Sequence, residues 1–235
     1  KAYKRVLIKL SGEAFAGEEG YGIDYSSVKQ AAAQLKELKR LGVEIAVVLG
    51  AGNLYRGKQA EKSGMDRITG DYIGMMATSM NALALQYALK TLNVEAVVQT
   101  ALAIDRVGEP YTRTNALTYL KNGKVVVFAC GTGNPLFTTD TAAALRAIEI
   151  GADVLIKATK VNGVYDKDPE RHSDAMFYPE ITYSEVINQD LKVMDLTAIT
   201  LCKENQLPVA VLNMRKKGNL KRAVLGEHIG TIVRR

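Results

Sequence analysis

The chain has 235 residues, 31 Lys+Arg against 25 Asp+Glu, a formal net charge of +6, and 47% hydrophobic residues. No apolar run is long enough to span a bilayer, so no membrane partner is expected. Two cysteines, Cys130 and Cys202, cannot form a disulfide framework, and Lys1–Arg5 leads into a strand-like run with no apolar signal region; a reduced, cytoplasmic setting is expected.

Taken in order, Arg5–Leu10 reads as a strand, followed by a Gly-rich loop from Gly12 to Gly22. Ser26–Leu41 reads as a helix with Gly42 just past its end. Glu44–Leu49 is a strand ending in Gly50-Ala51-Gly52-Asn53, and a long helix runs from Asp71 to about Leu92. Its residues Met75, Met76, Met80, Leu83 and Leu85, with Ala77, Ala82, Ala84 and Ala88, are apolar around much of the circumference, which suits a buried core helix or a subunit interface. Ala96–Gln99 is strand-like, Thr114–Leu120 a helix, Val125–Ala129 a strand, Thr141–Ile150 a helix and Val154–Lys157 a strand. Val161-Asn162-Gly163-Val164 carries the Asn-Gly signal of a hairpin. Helices at Tyr183–Asn188 and Asp195–Asn205 precede a strand at Val209–Leu212.

This βαβα order predicts an α/β fold, a three-layer αβα sandwich around a mostly parallel sheet. No Pro/Gly/Ser linker divides the chain, so one domain over 1–235 is expected. Ligands of such sheets bind at the carboxyl ends of the strands. The Gly-rich loops after Leu10, Leu49 and Ala129 all fall there, which points to one site.

The basic residues are scattered and the aromatics do not interleave with them, so the charge suits small polyanions such as nucleotides better than a nucleic-acid groove. Gly131–Asp140, GTGNPLFTTD, lies between a strand and a helix N-terminus, where free N–H groups and the helix dipole favour phosphate. Gly52 to Gln59 nearly fits the P-loop pattern but ends on Gln59, which has no hydroxyl for Mg²⁺, and Ser63-Gly64 interrupts any following helix. The dinucleotide pattern GxGxxG fails at Tyr55 and again at Leu136. The only histidines, His172 and His228, lie in polar stretches, so metal and Ser-His readings have little support.

Lys9 is a charge at the end of an apolar strand, costly unless it is used or paired, and Lys157 repeats the pattern. Phosphoryl transfer asks mainly for positioning and positive charge around the moving group. Lys9, Lys157 and Arg56 offer that charge; Asp140 and Asp195 can orient the lysines. Mg²⁺ keeps its waters and needs few protein ligands, so no protein metal cage is expected. Asp71, read as opening its helix, is either a cap or an acceptor for sugar hydroxyls. Tyr165 and Asp168 are either a turn or an adenosine contact.

Lys9-Leu10-Ser11-Gly12-Glu13, Gly50-Ala51-Gly52-Asn53 with Arg56-Gly57, the Gly131–Asp140 loop, Lys157-Ala158-Thr159-Lys160-Val161 with Gly163-Val164-Tyr165, and Val193-Met194-Asp195 together resemble the bacterial uridylate (UMP) kinases, from about Tyr3 to the C-terminus. That family has the amino-acid kinase fold, consistent with the failed P-loop. The resemblance implies phosphorylation of UMP by ATP with Mg²⁺, in pyrimidine nucleotide biosynthesis. It implies ATP contacts at Lys9, Leu10, Ser11, Gly12, Gly52, Arg56, Thr159, Tyr165 and Asp168. It implies UMP contacts at Ala51, Asp71, Thr132, Gly133, Asn134, Pro135, Leu136, Phe137, Thr138 and Thr139, with Lys9, Arg56, Lys157 and Asp140 as the catalytic set. The N-terminal part would then bind the acceptor and the C-terminal part ATP. It further implies a homohexamer activated by GTP and inhibited by UTP, with Gly17, Glu18, Glu19, Gly20, Tyr21 and Gly22 linked to regulation. The family usually has glycine where this chain has Ala51. Basic residues that bind GTP in some members fall near Gln86 and Val97 here. Kinases of acetylglutamate or glutamate are the alternative within the fold, and a non-catalytic nucleotide-binding regulator the alternative outside enzymes.

Overall fold

The computed structural model describes residues 2–57, 62 and 64–235. Lys58 and Gln59 of the failed P-loop match, and Ser63, lie outside the described residues, as does Lys1. Nine strands form one sheet in the order β4-β3-β5-β2-β1-β6-β10-β11-β9. They are β1 (Arg5–Leu10), β2 (Glu44–Leu49), β3 (Ala96–Thr100), β4 (Glu109–Pro110), β5 (Val125–Ala129), β6 (Val154–Thr159), β9 (Glu180–Thr182), β10 (Val209–Asn213) and β11 (Thr231–Arg234). Every ladder is parallel except β10–β11. Strands β7 (Val164–Tyr165) and β8 (Phe177–Tyr178) form a separate antiparallel ribbon. The helices are α1 (Tyr25–Arg40), α2 (Arg67–Thr91), α3 (Arg113–Lys121), α4 (Thr139–Glu149), α5 (Tyr183–Asn188), α6 (Leu196–Glu204) and α7 (Asn219–Leu225).

Helices cover both faces of the sheet, the αβα sandwich expected from the sequence. Strand side chains alternate between faces. Val6, Ile8 and Leu10 of β1 therefore pack with Val28 and Leu35 of α1, Leu85 and Leu89 of α2 and Leu220 of α7. Leu7 and, on β6, Leu155 pack with Leu120 of α3, Ala143 and Ala147 of α4 and Ile199 of α6. The same period sends Lys9 and Lys157 toward the α4 face, as each lies two residues beyond an α4-facing leucine.

Most element ends shift by one or two residues from the sequence reading, and three differences bear on the site. Helix α2 starts at Arg67 with the Asp66 side chain accepting from Thr69 N–H, so Asp71 lies a turn inside the helix and does not open it. Val161–Val164 forms no hairpin with β6, because both edges of β6 are already taken by β1 and β10. The chain there instead packs on β11: Val164 N–H donates to Thr231 Oγ1 at 2.8 Å, and a Cβ on Gly163 would lie 2.4 Å from that oxygen. Helix α4 begins two residues early, capped by Thr138.

The apolar circumference of α2 divides. Met75, Ala77, Ala82, Leu85 and Ala88 are buried in the core, whereas Met76, Met80 and Leu83 are exposed together with Ile68, Tyr72, Ile73 and Tyr87. Both histidines are exposed and both cysteines buried and free. No helix of the described residues is long and apolar enough to cross a membrane.

Candidate active site

The carboxyl ends of β1, β2, β5 and β6 converge, as the parallel order requires. Lys9 and Lys157 are direct partners across the β1–β6 ladder. Asp140, in the first turn of α4, receives both: Lys9 Nζ lies 3.2 Å from Oδ1 and Lys157 Nζ 2.9 Å from Oδ2. Lys157 also donates to the Val193 carbonyl at 2.5 Å. All three side chains are largely buried, 12% exposed for Lys9, 18% for Lys157 and 14% for Asp140. Burial pushes the Asp140 carboxyl up, but Lys9 and then Lys157 outweigh it and hold the group below the ordinary value. Burial pulls the Lys157 ammonium below its ordinary value despite Asp140, and the charge of Lys9 adds to that. The arrangement is two ammonium groups tied to one carboxylate, leaving a net positive charge at the strand ends.

A cavity of about 1230 Å³ opens beside this triad. Lys9, Leu10, Ser11, Lys157 and Thr159 line it, joined by Lys160 and Arg215. Glu18, Glu19 and Tyr21, expected in a regulatory loop, line the same cavity. Gly12 is buried beside it and packs against the loop after β2: a Cβ there would lie 2.5 Å from Asn53 Oδ1 and 2.6 Å from Gly52 N. Only glycine lets the two loops approach so closely.

Other expected donor-side residues are held elsewhere. Arg56 is exposed; its Nη2 lies 3.5 Å from Glu13 Oε1 and its Nε donates to the Gly52 carbonyl. Tyr165 packs against Phe177 with the rings tilted by 59° and centroids 5.3 Å apart. Asp168 builds a turn, its carboxylate accepting from Glu170 N–H and its carbonyl from Arg171 and His172. Neither Tyr165, Asp168, Gly52 nor Arg56 lines the cavity. Thr159 Oγ1 donates to the Val161 carbonyl at 2.8 Å. Lys160 pairs with Glu170 at 2.8 Å on the surface, so Lys157 is the lysine at the triad.

The loop after β5 turns sharply. Cys130, Gly131, Gly133 and Leu136 all have positive φ, 64°, 56°, 78° and 73°. Thr78 of α2 anchors its start, its hydroxyl accepting Cys130 N–H at 2.7 Å. Thr132 and Asn134 close a local turn through the Thr132 hydroxyl. Asp71 Oδ2 accepts Leu136 N–H at 2.7 Å, with Arg67 3.7 Å away, so Asp71 holds the loop. Pro135 is half-buried, whereas Leu136 and Phe137 are exposed. Two of the first N–H groups of α4, those of Asp140 and Thr141, are taken by the Thr138 hydroxyl; the helix N-terminus is therefore less open to an anion than the sequence suggested. Asp195 caps α6 and accepts from the hydroxyls of Thr138 and Thr141. Its hydrogen bonds go to α4 and α6, and its charge acts on the Lys157 ammonium, holding it up against burial. Ala51 turns the loop after β2, its carbonyl accepting from Leu54 and Tyr55 N–H.

Sequence reasoning missed Thr78 and Asn81. Both share the buried stripe of α2 with Ala82, Leu85 and Leu89, spaced three and four apart, and that helical phase was the available signal.

The amino acid kinase family model matches residues 4–213, and the chain belongs to that family. Among solved structures, a UMP kinase from Bacillus anthracis superposes with a TM-score of 0.96 at 38% identity, over 100% of this chain and 97% of that one. A UMP kinase from Ureaplasma parvum gives 0.93 at 36%, over 99% of each. A uridylate kinase from Archaeoglobus fulgidus gives 0.76 at 29%, over 97% and 99%. The resemblance to UMP kinases noted from the motifs therefore extends through the whole fold.

Proposed function

We propose that this chain is a UMP kinase that transfers the terminal phosphoryl group of ATP to UMP, giving UDP and ADP. The observation that carries the reading is the Lys9–Asp140–Lys157 triad beside a large cavity, in a chain whose full-length structural relatives are UMP kinases. Both lysines present fixed positive charge where negative charge spreads over the transferring group. Asp140 keeps the two ammonium groups together and is the positioning residue of the set. Ser11 and Gly12, with Lys9, form the donor side. Asp71 and the 131–139 loop form the acceptor side, the Asp71 carboxylate exchanging Leu136 N–H for a ribose hydroxyl. The chain acts as one unit, to which the N-terminal part brings the acceptor side together with Lys9, Ser11 and Gly12, and the C-terminal part the remaining ATP contacts.

The residues present fit a Mg²⁺ ion carried by the nucleotide. The carboxylates at the triad are committed, Asp140 to lysines and Asp195 to threonine hydroxyls and a helix cap, and Mg²⁺ needs few protein ligands when phosphates hold it. When bound, the ion neutralises phosphate charge. The exposed apolar face of α2 supports self-association, with a hexamer as the expected state. GTP activation is proposed to act through residues 17–22, UTP is the expected inhibitor, and the buried free thiols suit a cytoplasmic setting. Gln86, where some members have an effector-binding basic residue, instead donates to the Ala96 carbonyl.

A coupled ADP-release assay with UMP, CMP, AMP and acetylglutamate tests the activity, and UMP is expected to be the preferred acceptor. Turnover only with the amino-acid derivative would reject UMP as the substrate; none with any acceptor would favour a binding regulator. Light scattering with and without GTP and UTP reads the oligomer.

A further inference from the structure

Asn53 and Asn81 are both fully buried, among the few polar side chains of the described residues with no exposure. Each amide donates to the other: Asn53 Nδ2 to Asn81 Oδ1 at 3.0 Å and Asn81 Nδ2 to Asn53 Oδ1 at 2.8 Å. The remaining hydrogens reach backbone in two different loops. Asn81 Nδ2 donates to the Gly50 carbonyl at 2.8 Å, and Asn53 Nδ2 to the Gly22 carbonyl at 2.7 Å. Gly22 N–H returns to the Asn53 carbonyl at 2.8 Å. Asn53 also fills the space against Gly12. One side chain therefore meets both ends of the 12–22 loop, whose middle lines the cavity next to Lys9.

Asn81 belongs to α2, which also carries Asp71 and Thr78, the two residues that hold the loop after β5. The helix thus has three polar attachments, two to the acceptor side and one, through Asn53, to the donor side. A buried polar pair must be fully satisfied to be tolerated, and once satisfied it fixes a single arrangement of what it touches.

We propose that the Asn53–Asn81 pair is a positioning device that couples the acceptor side to the donor side. Asn81 sets the place of Asn53, and Asn53 sets the 12–22 loop against the triad. The inference rests on the reading of the chain as a kinase of UMP. A ligand that takes the Asp71 carboxylate from Leu136 N–H shifts the constraint on α2, and the amide pair passes that shift to the cavity wall. Occupancy of one side then changes affinity on the other by the same factor in both directions.

The test is a binding cycle by calorimetry on the whole chain, with UMP and a non-hydrolysable ATP analogue each titrated alone and against saturating amounts of the other. Wild type is expected to show a reciprocal change in affinity of at least about fivefold. Asn81→Leu, which removes both donors without shortening the side chain much, is expected to bring that factor to one. It should also lower kcat on the order of 10²-fold through misplacement of the donor loop. Asn81→Ser keeps a small uncharged donor and acceptor but cannot reach both Gly50 and Asn53; it is expected to retain the fold if Asn81→Leu does not, and still to lose coupling. Independent binding of the two ligands in wild type, or unchanged coupling in a folded variant, overturns the proposal. Failure of wild type to bind UMP at all is a different result: it rejects the acceptor, and this inference with it.

Discussion

Lys9 and Lys157 face each other across neighbouring parallel strands, and a single carboxylate, Asp140, closes on both. Two like charges that close would repel in the absence of the acid. Asp140→Asn is therefore expected to destabilise the fold by about 3 kcal/mol, the scale for removing one partner from a buried ion pair. Asp140 titrates below its ordinary value of 3.8 in the folded chain. The unfolded chain then takes up the proton first, so the stabilisation is complete above pH 3.8 and drains as pH falls through the folded value. Urea melts of wild type and Asp140→Asn should differ most at neutral pH and converge in acid; a gap independent of pH would mean that the carboxylate charge is not what matters.

Lys9→Ala removes one of the two fixed charges at the transferring group while leaving the acceptor loop intact. Its kcat is expected to fall by roughly 10²- to 10³-fold, the scale for losing one preorganised electrostatic contact, with little change in UMP affinity. Steady-state kinetics with both substrates varied reads the split. Unchanged kcat would remove Lys9 from the reaction.

Asp71→Ala takes away the acceptor of Leu136 N–H and the proposed ribose contact together. The KM for UMP should rise about 10- to 100-fold, the equivalent of one charge-assisted hydrogen bond, with the KM for ATP nearly constant. A rise confined to ATP would reverse the assignment of the two sides.

Gly12→Ala places a methyl 2.5 Å from Asn53 Oδ1 and 2.6 Å from Gly52 N. Neither neighbour is the free end of a flexible chain, so the loops must separate, at a cost of about 1–3 kcal/mol. Thermal denaturation should register the loss. Gly57→Ala, with no atom of the described residues within 4 Å of its Cβ position, is the comparison expected to stay close to wild type.

Strands β1, β2 and β5 are legible because each is an apolar run followed within two residues by glycine, and the βαβ order then places the loops at one edge of the sheet. Lys9 and Lys157 were visible as charges ending apolar strands. Their partnership with Asp140 was only partly visible, since it depends on strand phase and on a helix beginning at Thr139. Strand β11 was missed because Thr231–Arg234 takes its identity from pairing with β10. The Asn-Gly signal at Asn162-Gly163 misled for the opposite reason: a local turn preference met a strand with no free edge. Thr78 and Asn81 look like ordinary polar positions until the helix has a phase and a sheet to face.

The sheet ends on two very short strands, β4 with two residues, one of them Pro110, and β9 with three. Such borders offer almost no backbone for another chain to pair with, and proline withdraws a donor from one of them. Growth of the sheet from one molecule into the next is thereby blocked at both rims. That leaves side chain to side chain contact as the route for any association, and the methionines and tyrosines exposed on α2 are apolar surface available for it.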